Sequence, residues 1–217
     1  MKKHNYVIVD TETTKAGTVA DFGAVVVTRQ GEIVEQFGAM VLKHFGTIEL
    51  FSNPSAPDNS LWSAQSARRR EKDYYAMLDS GARSVVSVAG INQWLASVNA
   101  RYNPVLTAYN ISFDLAKCRN TRINLGIFGN RFCLMKAAKA IIGARADYQE
   151  FCYEQGLLTA KLQRPQMTAD SMAKFILGDS LEDEPHTALE DARDYEAAIL
   201  HYLLQRLTRA QLLEVGR

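Results

Sequence analysis

The sequence predicts a single α/β domain with a mixed β-sheet flanked by helices. Its 217 residues are most simply one domain, long enough to bury a sizeable core. Short apolar runs rich in β-branched residues come first, and segments of helical periodicity are interleaved with a later strand, which is the order expected of an α/β fold.

The first 42 residues predict three adjacent strands, with the first one central. Residues 6–9 form a continuous apolar run, typical of a strand that is buried on both faces. Residues 24–27 and 33–42 predict two more strands. The segment 28–32 between them has turn chemistry, which favours an antiparallel hairpin.

Residues 43–80 differ from their surroundings and are interpreted as a polar insertion between the third strand and the first core helix. Asn and Pro residues near 53–59 indicate a loop, and residues 61–78 predict a polar helix. That helix carries the triplet Arg68-Arg69-Arg70. The triplet is either a solvated helix face or a patch that contacts phosphate.

The core helices follow. Apolar spacing predicts a helix over residues 85–98, a fourth strand over 105–108 and a helix over 111–121. Further helices are predicted at 134–142, 169–177 and 188–207. No internal repeat or linker divides the chain, so residues 1–217 are taken as one domain.

Composition limits the class of protein. A net charge of +1 offers no global basic field for nucleic acid, although four carboxylates at one site would cancel basic residues elsewhere. The three cysteines form no C-x-x-C pair, which argues against a disulfide framework or a zinc cluster. No apolar stretch approaches a membrane span, so a cytoplasmic protein without a membrane part is expected.

Asp10 and Glu12 end the first predicted strand. Residues two apart on a strand lie on the same side, so both carboxylates can converge on one point. Two adjacent carboxylates repel each other, and a divalent cation such as Mg²⁺ or Mn²⁺ removes the conflict. A pair of acids in an exposed turn is the alternative.

Asp114 and Asp191 occupy equivalent places in two predicted helices. Asn110 follows the fourth strand as a predicted N-cap, which makes Asp114 the fourth helical residue. Thr187 and Glu190 have the spacing of a capping box, which starts a helix at Thr187. An acid that merely complements the helix dipole is the alternative for Asp114.

His186 precedes that second helix start, in a short loop beside Pro185. From there the imidazole could lie over a metal-bound water while Asp191 holds the metal. A solvated histidine beside a helix cap is the alternative.

At these residues the sequence resembles the DEDDh (DnaQ-like) 3′→5′ exonucleases of the ribonuclease H-like superfamily. The three motifs that carry the resemblance are Val9-Asp10-Thr11-Glu12-Thr13-Thr14, Asn110-Ile111-Ser112-Phe113-Asp114 and His186-Thr187-Ala188-Leu189-Glu190-Asp191-Ala192. The resemblance implies a ribonuclease H-like mixed five-stranded sheet. It also implies two Mg²⁺ or Mn²⁺ ions that support hydrolysis of terminal phosphodiesters to 5′-mononucleotides.

The resemblance also implies residue roles. Asp10, Glu12, Asp114 and Asp191 would hold the metals, and His186 would be the general base. Substrate contacts would come from residues beside these acids: Thr13, Thr14, Lys15, Asn110 and Phe113. Lys15 stands where many members have glycine, so the first turn is expected to differ and Lys15 could reach a phosphate.

The expected partners are 3′ ends of single-stranded DNA or RNA, with a homodimer or a replication or repair partner left open. The sequence does not separate DNA from RNA, or single strands from duplexes. Two other functions stay open: a nucleic-acid-binding or scaffold protein that has lost catalysis, and a metal-dependent phosphatase.

Overall fold

A computed structural model describes residues 5–46, 63–178 and 181–217. Within these residues the chain forms a mixed six-stranded sheet with the strand order β4-β3-β2-β1-β5-β6. The strands are β1 (Asn5–Thr13), β2 (Val19–Thr28), β3 (Ile33–Val41), β4 (Ser84–Val86), β5 (Val105–Ala108) and β6 (Arg131–Cys133). The predicted fold class is confirmed, with six strands instead of the expected five.

The three N-terminal strands form as predicted, with β1 inside the sheet. β1 pairs antiparallel with β2 and parallel with β5, and β2 pairs antiparallel with β3. The two strands missed from the sequence, β4 and β6, are three residues long and lie at the sheet edges. Such short runs carry no usable periodicity.

The helices pack around this sheet. They are α1 (Ala64–Asp79), α2 (Val88–Tyr102), α3 (Ile111–Thr121), α4 (Leu134–Ala138), α5 (Ala146–Glu154), α6 (Ala169–Leu177), α7 (Ala188–Glu190), α8 (Ala197–Leu204) and α9 (Arg209–Val215). Helix α4 continues as a π-helical segment over Lys139–Gly143, and a second π-helical segment, Asp191–Glu196, joins α7 to α8. A 3₁₀ turn covers Leu125–Ile127.

Several helix boundaries differ from the predictions. The helix expected over 85–98 runs over Val88–Tyr102, because β4 takes residues 84–86. The single helix expected over 188–207 is divided by its π-helical segment and ends at Leu204. Helices α5 and α9 were not predicted, whereas α3 and α6 have the predicted bounds.

Alternation along β1 divides the core into two layers. Tyr6 and Ile8 pack against one helical layer that includes α6 and α8, whereas Val7 and Val9 pack against the other, formed by α2 and α3. The end of β1 therefore lies between helices on both sides. Asp10 and Glu12 follow on the side of Ile8, and Thr11 follows on the side of Val9.

The predicted insertion is described only in part. Residues 47–62, which include most of the expected loop, lie outside the described residues. The predicted polar helix forms as α1, which begins at Ala64 after the N-cap Ser63. Tyr74 of α1 is fully buried against Ala20 and Met40, so this helix is packed onto the sheet.

Two smaller predictions can be compared with the structure. Cys118, Cys133 and Cys152 are free thiols, and all three are buried. In the described part of the chain, no helix has the length and apolar character needed to cross a membrane.

Candidate active site

The first pair of acids lies at the carboxyl end of β1. Asp10 is opposite Gly23 and Glu12 is opposite Asp21 in the antiparallel ladder with β2. Both acids are half-buried and lie on one face of the strand, as the alternation predicts. The ladder register and the alternation of β1 thus place Asp10 and Glu12 on the same face of the sheet.

Asp114 approaches the same strand end from the opposite face of the sheet. It is the fourth residue of α3 and is buried. The hydroxyl of Thr11 donates a hydrogen bond to Asp114 Oδ1 over 2.8 Å. Asn110 is the N-cap residue, as predicted, but its side chain makes no capping hydrogen bond. Thr11 therefore joins the first and second motifs directly.

The third motif starts its helix at Thr187 as predicted, but the predicted capping box is wrong. The Thr187 side chain caps no backbone N–H; instead its hydroxyl donates to Glu190 Oε2 over 2.7 Å. Asp21 Oδ2, on β2, accepts from the Ala188 N–H over 2.9 Å. The first orphan donor of the helix is thus satisfied by a carboxylate from the sheet.

A buried polar network fixes this helix start. Asp21 also accepts a hydrogen bond from the Tyr74 hydroxyl over 3.1 Å, and the same hydroxyl donates to the His186 carbonyl over 3.4 Å. Arg83 forms a salt bridge with Glu190, and its Nε atom lies 3.8 Å from Asp21 Oδ1. The hydrophobic pattern of the sequence does not reveal these polar contacts, so the network of Asp21, Tyr74 and Arg83 was not predicted.

Asp191 is the fourth helical residue, and it opens the π-helical segment Asp191–Glu196. Single-turn π-helical segments occur frequently at functional sites. In this segment the Ala197 N–H bonds to the Ala192 carbonyl, five residues back. That pattern brings residues five apart, such as Asp191 and Glu196, nearer to one helix face than an α-helix would.

Glu12, His186 and Asp191 come together in space. One potential ligand atom from each lies within 4.8 Å of the others. His186 reaches this position with a φ of 57°, in the left-handed region where histidine is several-fold enriched. The two carboxylates and the imidazole, predicted from two distant motifs, therefore form one group that could hold a metal ion.

The donor chemistry of this group fits a divalent cation. Asp191 is buried, and its Oδ1 has no hydrogen-bond partner within the described part of the chain. A buried carboxylate oxygen without a partner is costly, and coordination to a cation would satisfy it. Oxygen ligands of this kind suit Mg²⁺ or Mn²⁺.

Burial and mutual repulsion raise the pKa values of the acids. Burial and then Asp114 raise the pKa of Asp10, whereas burial and then Asp10 raise the pKa of Glu12. Burial raises the pKa of Asp114 to about 7. Burial and then Asp10 raise the pKa of Asp191 to about 11. A cation would reverse these shifts by favouring the charged carboxylates.

Two further acids belong to this environment and were missed from the sequence. Burial raises the pKa of Glu184 to about 7. Glu196 is 2% exposed, accepts a hydrogen bond from the Tyr109 N–H over 3.2 Å, and leaves Oε2 without a partner among the described residues. After burial, the negative charges of Asp10 and Asp114 raise its pKa. The π-helical segment places Glu196 near these acids. The sequence does not reveal that segment, so it could not predict the position of Glu196.

One cation from α1 acts on the same site. Arg70 is buried, and its positive charge opposes the rise in the pKa of Glu12. Burial and then the charge of Arg70 lower the pKa of His186. The imidazole is therefore held in its neutral form, which can accept a proton.

The residues predicted to contact substrate lie around these acids at different depths. Thr13 is half-buried and ends β1, whereas Thr14 is buried and its hydroxyl hydrogen-bonds to that of Thr18 over 2.8 Å. Lys15 and Asn110 are exposed. Phe113 is 41% exposed, with the Lys117 ammonium 4.9 Å from its ring centroid.

Comparison with known proteins gives a match at the level of structure alone. No family model matches the sequence, and no curated protein matches it. The structure is similar to E. coli exonuclease I in complex with a 5cy-dT13 oligonucleotide, with 14% identity and a TM-score of 0.55 over 98% of this chain and 42% of that chain. It is also similar to exonuclease I in complex with the inhibitor BCBP, with 15% identity and a TM-score of 0.53 over 99% and 43% of the two chains.

A third structure, exonuclease X in complex with 5′ overhanging duplex DNA, aligns with 19% identity and a TM-score of 0.44 over 98% of this chain and 99% of that chain. The chain spans less than half the length of the exonuclease I chains. The likeness to exonuclease I confirms the predicted ribonuclease H-like fold.

Proposed function

We propose that this protein is a metal-dependent 3′→5′ exonuclease that releases 5′-mononucleotides from single-stranded nucleic acid. The observation that carries the proposal is the convergence of Glu12, His186 and Asp191 within 4.8 Å. The charge of Asp10 raises the pKa of Glu12 and of Asp191 in this group, and the charge of Asp114 raises the pKa of Asp10. The fold is shared with exonuclease I, which has been described with an oligonucleotide.

In this proposal two Mg²⁺ or Mn²⁺ ions are held by Asp10, Glu12, Asp114 and Asp191. Bound divalent ions supply Lewis-acid stabilisation of the charge that develops on a phosphodiester during hydrolysis. Thr11 keeps Asp114 in place through its 2.8 Å hydrogen bond. The Oδ1 atom of Asp191, which is buried and has no hydrogen-bond partner among the described residues, is the atom that a cation would most directly satisfy.

His186 is the proposed general base. Its lowered pKa keeps the imidazole neutral near pH 7, so that it can take the proton of the attacking water. Thr13, Thr14, Lys15, Asn110 and Phe113 are the proposed contacts for the terminal nucleotide. A 3′ end would enter where β1 ends and α3 begins, since these residues flank that point.

The proposal is tested with purified protein, end-labelled single-stranded DNA, duplex DNA and RNA, each with Mg²⁺ or with chelator. Wild-type protein should release mononucleotides from at least one single-stranded substrate with Mg²⁺ only. Asp10→Asn and Asp191→Asn should abolish this release while circular dichroism shows the same fold, because each removes one metal-binding charge.

Activity that survives in both variants would show that another site, or a contaminant, is responsible. Retention of oligonucleotide without shortening would identify a binding or scaffold protein instead. Hydrolysis of small phosphomonoesters, with none of oligonucleotides, would identify a phosphatase.

A further inference from the structure

A cavity of about 470 Å³ lies beside the loop that joins α5 to α6. Three apolar side chains of that loop line it, Leu162, Pro165 and Met167, together with two cations, Lys161 and Arg164. Leu162 is 59% exposed, so the apolar wall is in contact with solvent. The volume of this loop cavity is within the range of ligand pockets in proteins, roughly 300–1,000 Å³.

Backbone hydrogen bonds give the loop a defined shape. The Thr159 N–H donates to the Arg164 carbonyl over 2.8 Å, and the Gln166 N–H donates to the Leu157 carbonyl over 2.9 Å. From α5, the hydroxyl of the buried Tyr148 donates to the Gln166 carbonyl over 2.5 Å. A loop that is already ordered loses less conformational entropy when a ligand binds.

The two cations of the loop cavity favour an anionic ligand. Lys161 and Arg164 are exposed, and neither side chain forms a salt bridge or a hydrogen bond within the described part of the chain. No acidic side chain of the described residues lines the cavity. Cations next to surfaces that pack against bases are the combination by which proteins bind single-stranded nucleic acid.

Two hydrogen bonds connect the wall of the loop cavity to the candidate active site. Tyr109 lies between the end of β5 and the N-cap Asn110, and its hydroxyl donates to the Met167 carbonyl over 2.6 Å. Three residues after Met167, Asp170 Oδ1 accepts a hydrogen bond over 3.3 Å from the N–H of Glu184, in the loop that carries the proposed base. A strand that leaves the acids between α3 and that loop therefore meets the cavity.

On the basis of the proposed function, we propose that the loop cavity binds a nucleotide of the substrate strand upstream of the nucleotide that is cleaved. The base packs on Leu162, Pro165 and Met167, and the adjoining phosphates contact Lys161 and Arg164. Exposed cations suit phosphates that stay in contact with solvent, because their binding releases counterions. The site accepts any base, since every base has a flat face that can pack on an apolar wall.

The test measures the binding of fluorescently labelled oligothymidylates of increasing length, from the dinucleotide upward, by anisotropy in chelator, where the proposed hydrolysis cannot proceed. Lys161→Gln combined with Arg164→Gln should bind the shortest oligomers as wild type does. It should bind long oligomers on the order of tenfold more weakly at about 0.1 M salt. The slope of log K against log[salt] should be smaller in magnitude by about 1.4, since each phosphate contact to a single strand contributes about 0.7.

Arg119→Gln combined with Arg131→Gln is the matched control, because it also removes two exposed cations. Arg119 is in the last turn of α3, and Arg131 begins β6 at the edge of the sheet opposite the carboxyl ends of β1 and β5. This control should keep the wild-type affinity and salt slope at every length.

The apolar wall is tested separately. Leu162→Ser should weaken binding of long oligomers and leave the salt slope unchanged, because it removes an apolar contact and no charge. Leu177→Ser, a similarly exposed leucine at the end of α6, should bind as wild type does.

Kinetics with Mg²⁺ separate a substrate contact from a structural role. The double variant Lys161→Gln/Arg164→Gln should raise KM for long oligomers only, and kcat at saturation should stay within about twofold of wild type, as expected of exposed positions away from the chemistry. A role in holding the fold would instead lower kcat on oligomers of every length, and would overturn the inference.

Equal weakening of short and long oligomers in the Lys161/Arg164 variant would also overturn it, as would equal losses in the two double variants or a wild-type affinity that does not rise with length. If binding follows the expected pattern but no strand is shortened with Mg²⁺, the proposed function fails and the loop cavity stands as a site for single strands. Cleavage by wild type without these effects of the variants refutes the cavity site alone.

Discussion

At the scale of single residues, His186 is the group on which the proposed chemistry depends most. Its backbone has a φ of 57°, a conformation that costs a non-glycine residue of order 1–3 kcal/mol and persists only when surrounding contacts hold it. The Tyr74 hydroxyl supplies such a contact through the His186 carbonyl. The half-buried imidazole is thereby held beside Glu12 and Asp191.

Replacement of His186 by alanine should lower kcat by about 10²-fold or more, with Mn²⁺ affinity largely kept. In the wild type, kcat should rise with pH, and the midpoint of that rise should lie below the ordinary histidine pKa of about 6.5. The reason is that burial and the charge of Arg70 lower the pKa of His186. Steady-state rates between pH 5 and 8 check both statements. His201→Ala, on α8, is the control. A large loss of Mn²⁺ affinity in His186→Ala would make the histidine a metal ligand instead of a base.

The sequence predicts the residues of the site that belong to motifs, and it misses those that do not. Asp10 and Glu12 are recognisable because strand alternation fixes their common face, and Asp114 and Asp191 because helix starts fix their positions. Arg70 is recognisable only as part of the triplet Arg68-Arg69-Arg70, whose two interpretations the sequence leaves open, and Glu196 has no local signal. Their placement depends on the packing of α1 and on the π-helical segment, which arise from tertiary contacts.

At the scale of secondary structure, the site depends on a close approach between β2 and α7. A Cβ atom added at Gly23 would lie 2.1 Å from the carbonyl carbon of Ala188, so only glycine allows the helix start to reach the sheet here. Gly23 is opposite Asp10 in the ladder. The distance between the first and third motifs is thus set at this glycine.

Gly23→Ala should therefore push α7 away from the sheet and separate Asp191 from Glu12. We expect a loss of roughly 1–3 kcal/mol in the free energy of unfolding, as for other overpacked cores, together with weaker Mn²⁺ binding. Urea denaturation and metal titration measure the two effects. Gly129→Ala is the matched control, since an added Cβ there meets no atom within 4 Å. Equal stability and metal affinity in the two variants would contradict this account.

Elements with strong periodicity were predictable, and elements stabilised mainly by their neighbours were not. β1, α3 and α6 follow from apolar patterns and caps. The edge strands β4 and β6 are too short to show a period. The capping box at Thr187 was predicted incorrectly because Asp21, which is distant in sequence, accepts the hydrogen bond from the Ala188 N–H. The spacing of Thr187 and Glu190 cannot show that a residue from another strand caps the helix.

At the scale of the whole molecule, the acids are a source of instability that a metal ion relieves. Burial raises the pKa values of Asp114 and Glu184 to about 7, whereas unfolded carboxyl groups titrate near 4. The metal-free folded state therefore binds more protons than the unfolded state between about pH 4 and 7. Under that condition, stability falls as pH rises.

Metal-free protein should consequently have a lower Tm at pH 8 than at pH 5.5, and Mg²⁺ or Mn²⁺ should raise the Tm more at pH 8. Differential scanning calorimetry with chelator and with metal checks this. Asp114→Asn combined with Glu184→Gln should flatten the dependence of Tm on pH in chelator, because neither replacement titrates. A metal-free Tm that rises steadily from pH 5.5 to 8 would contradict the proposed electrostatics.

The most direct test of a metal-dependent 3′→5′ exonuclease is the polarity of cleavage of a single-stranded oligonucleotide labelled at its 5′ end. With Mg²⁺, a ladder of progressively shorter labelled products should appear, in step with unlabelled 5′-mononucleotides, and chelator or Asp191→Asn should prevent it. Release of the label as a mononucleotide at the earliest times, or an oligonucleotide that stays intact with Mg²⁺ and Mn²⁺, would contradict the account.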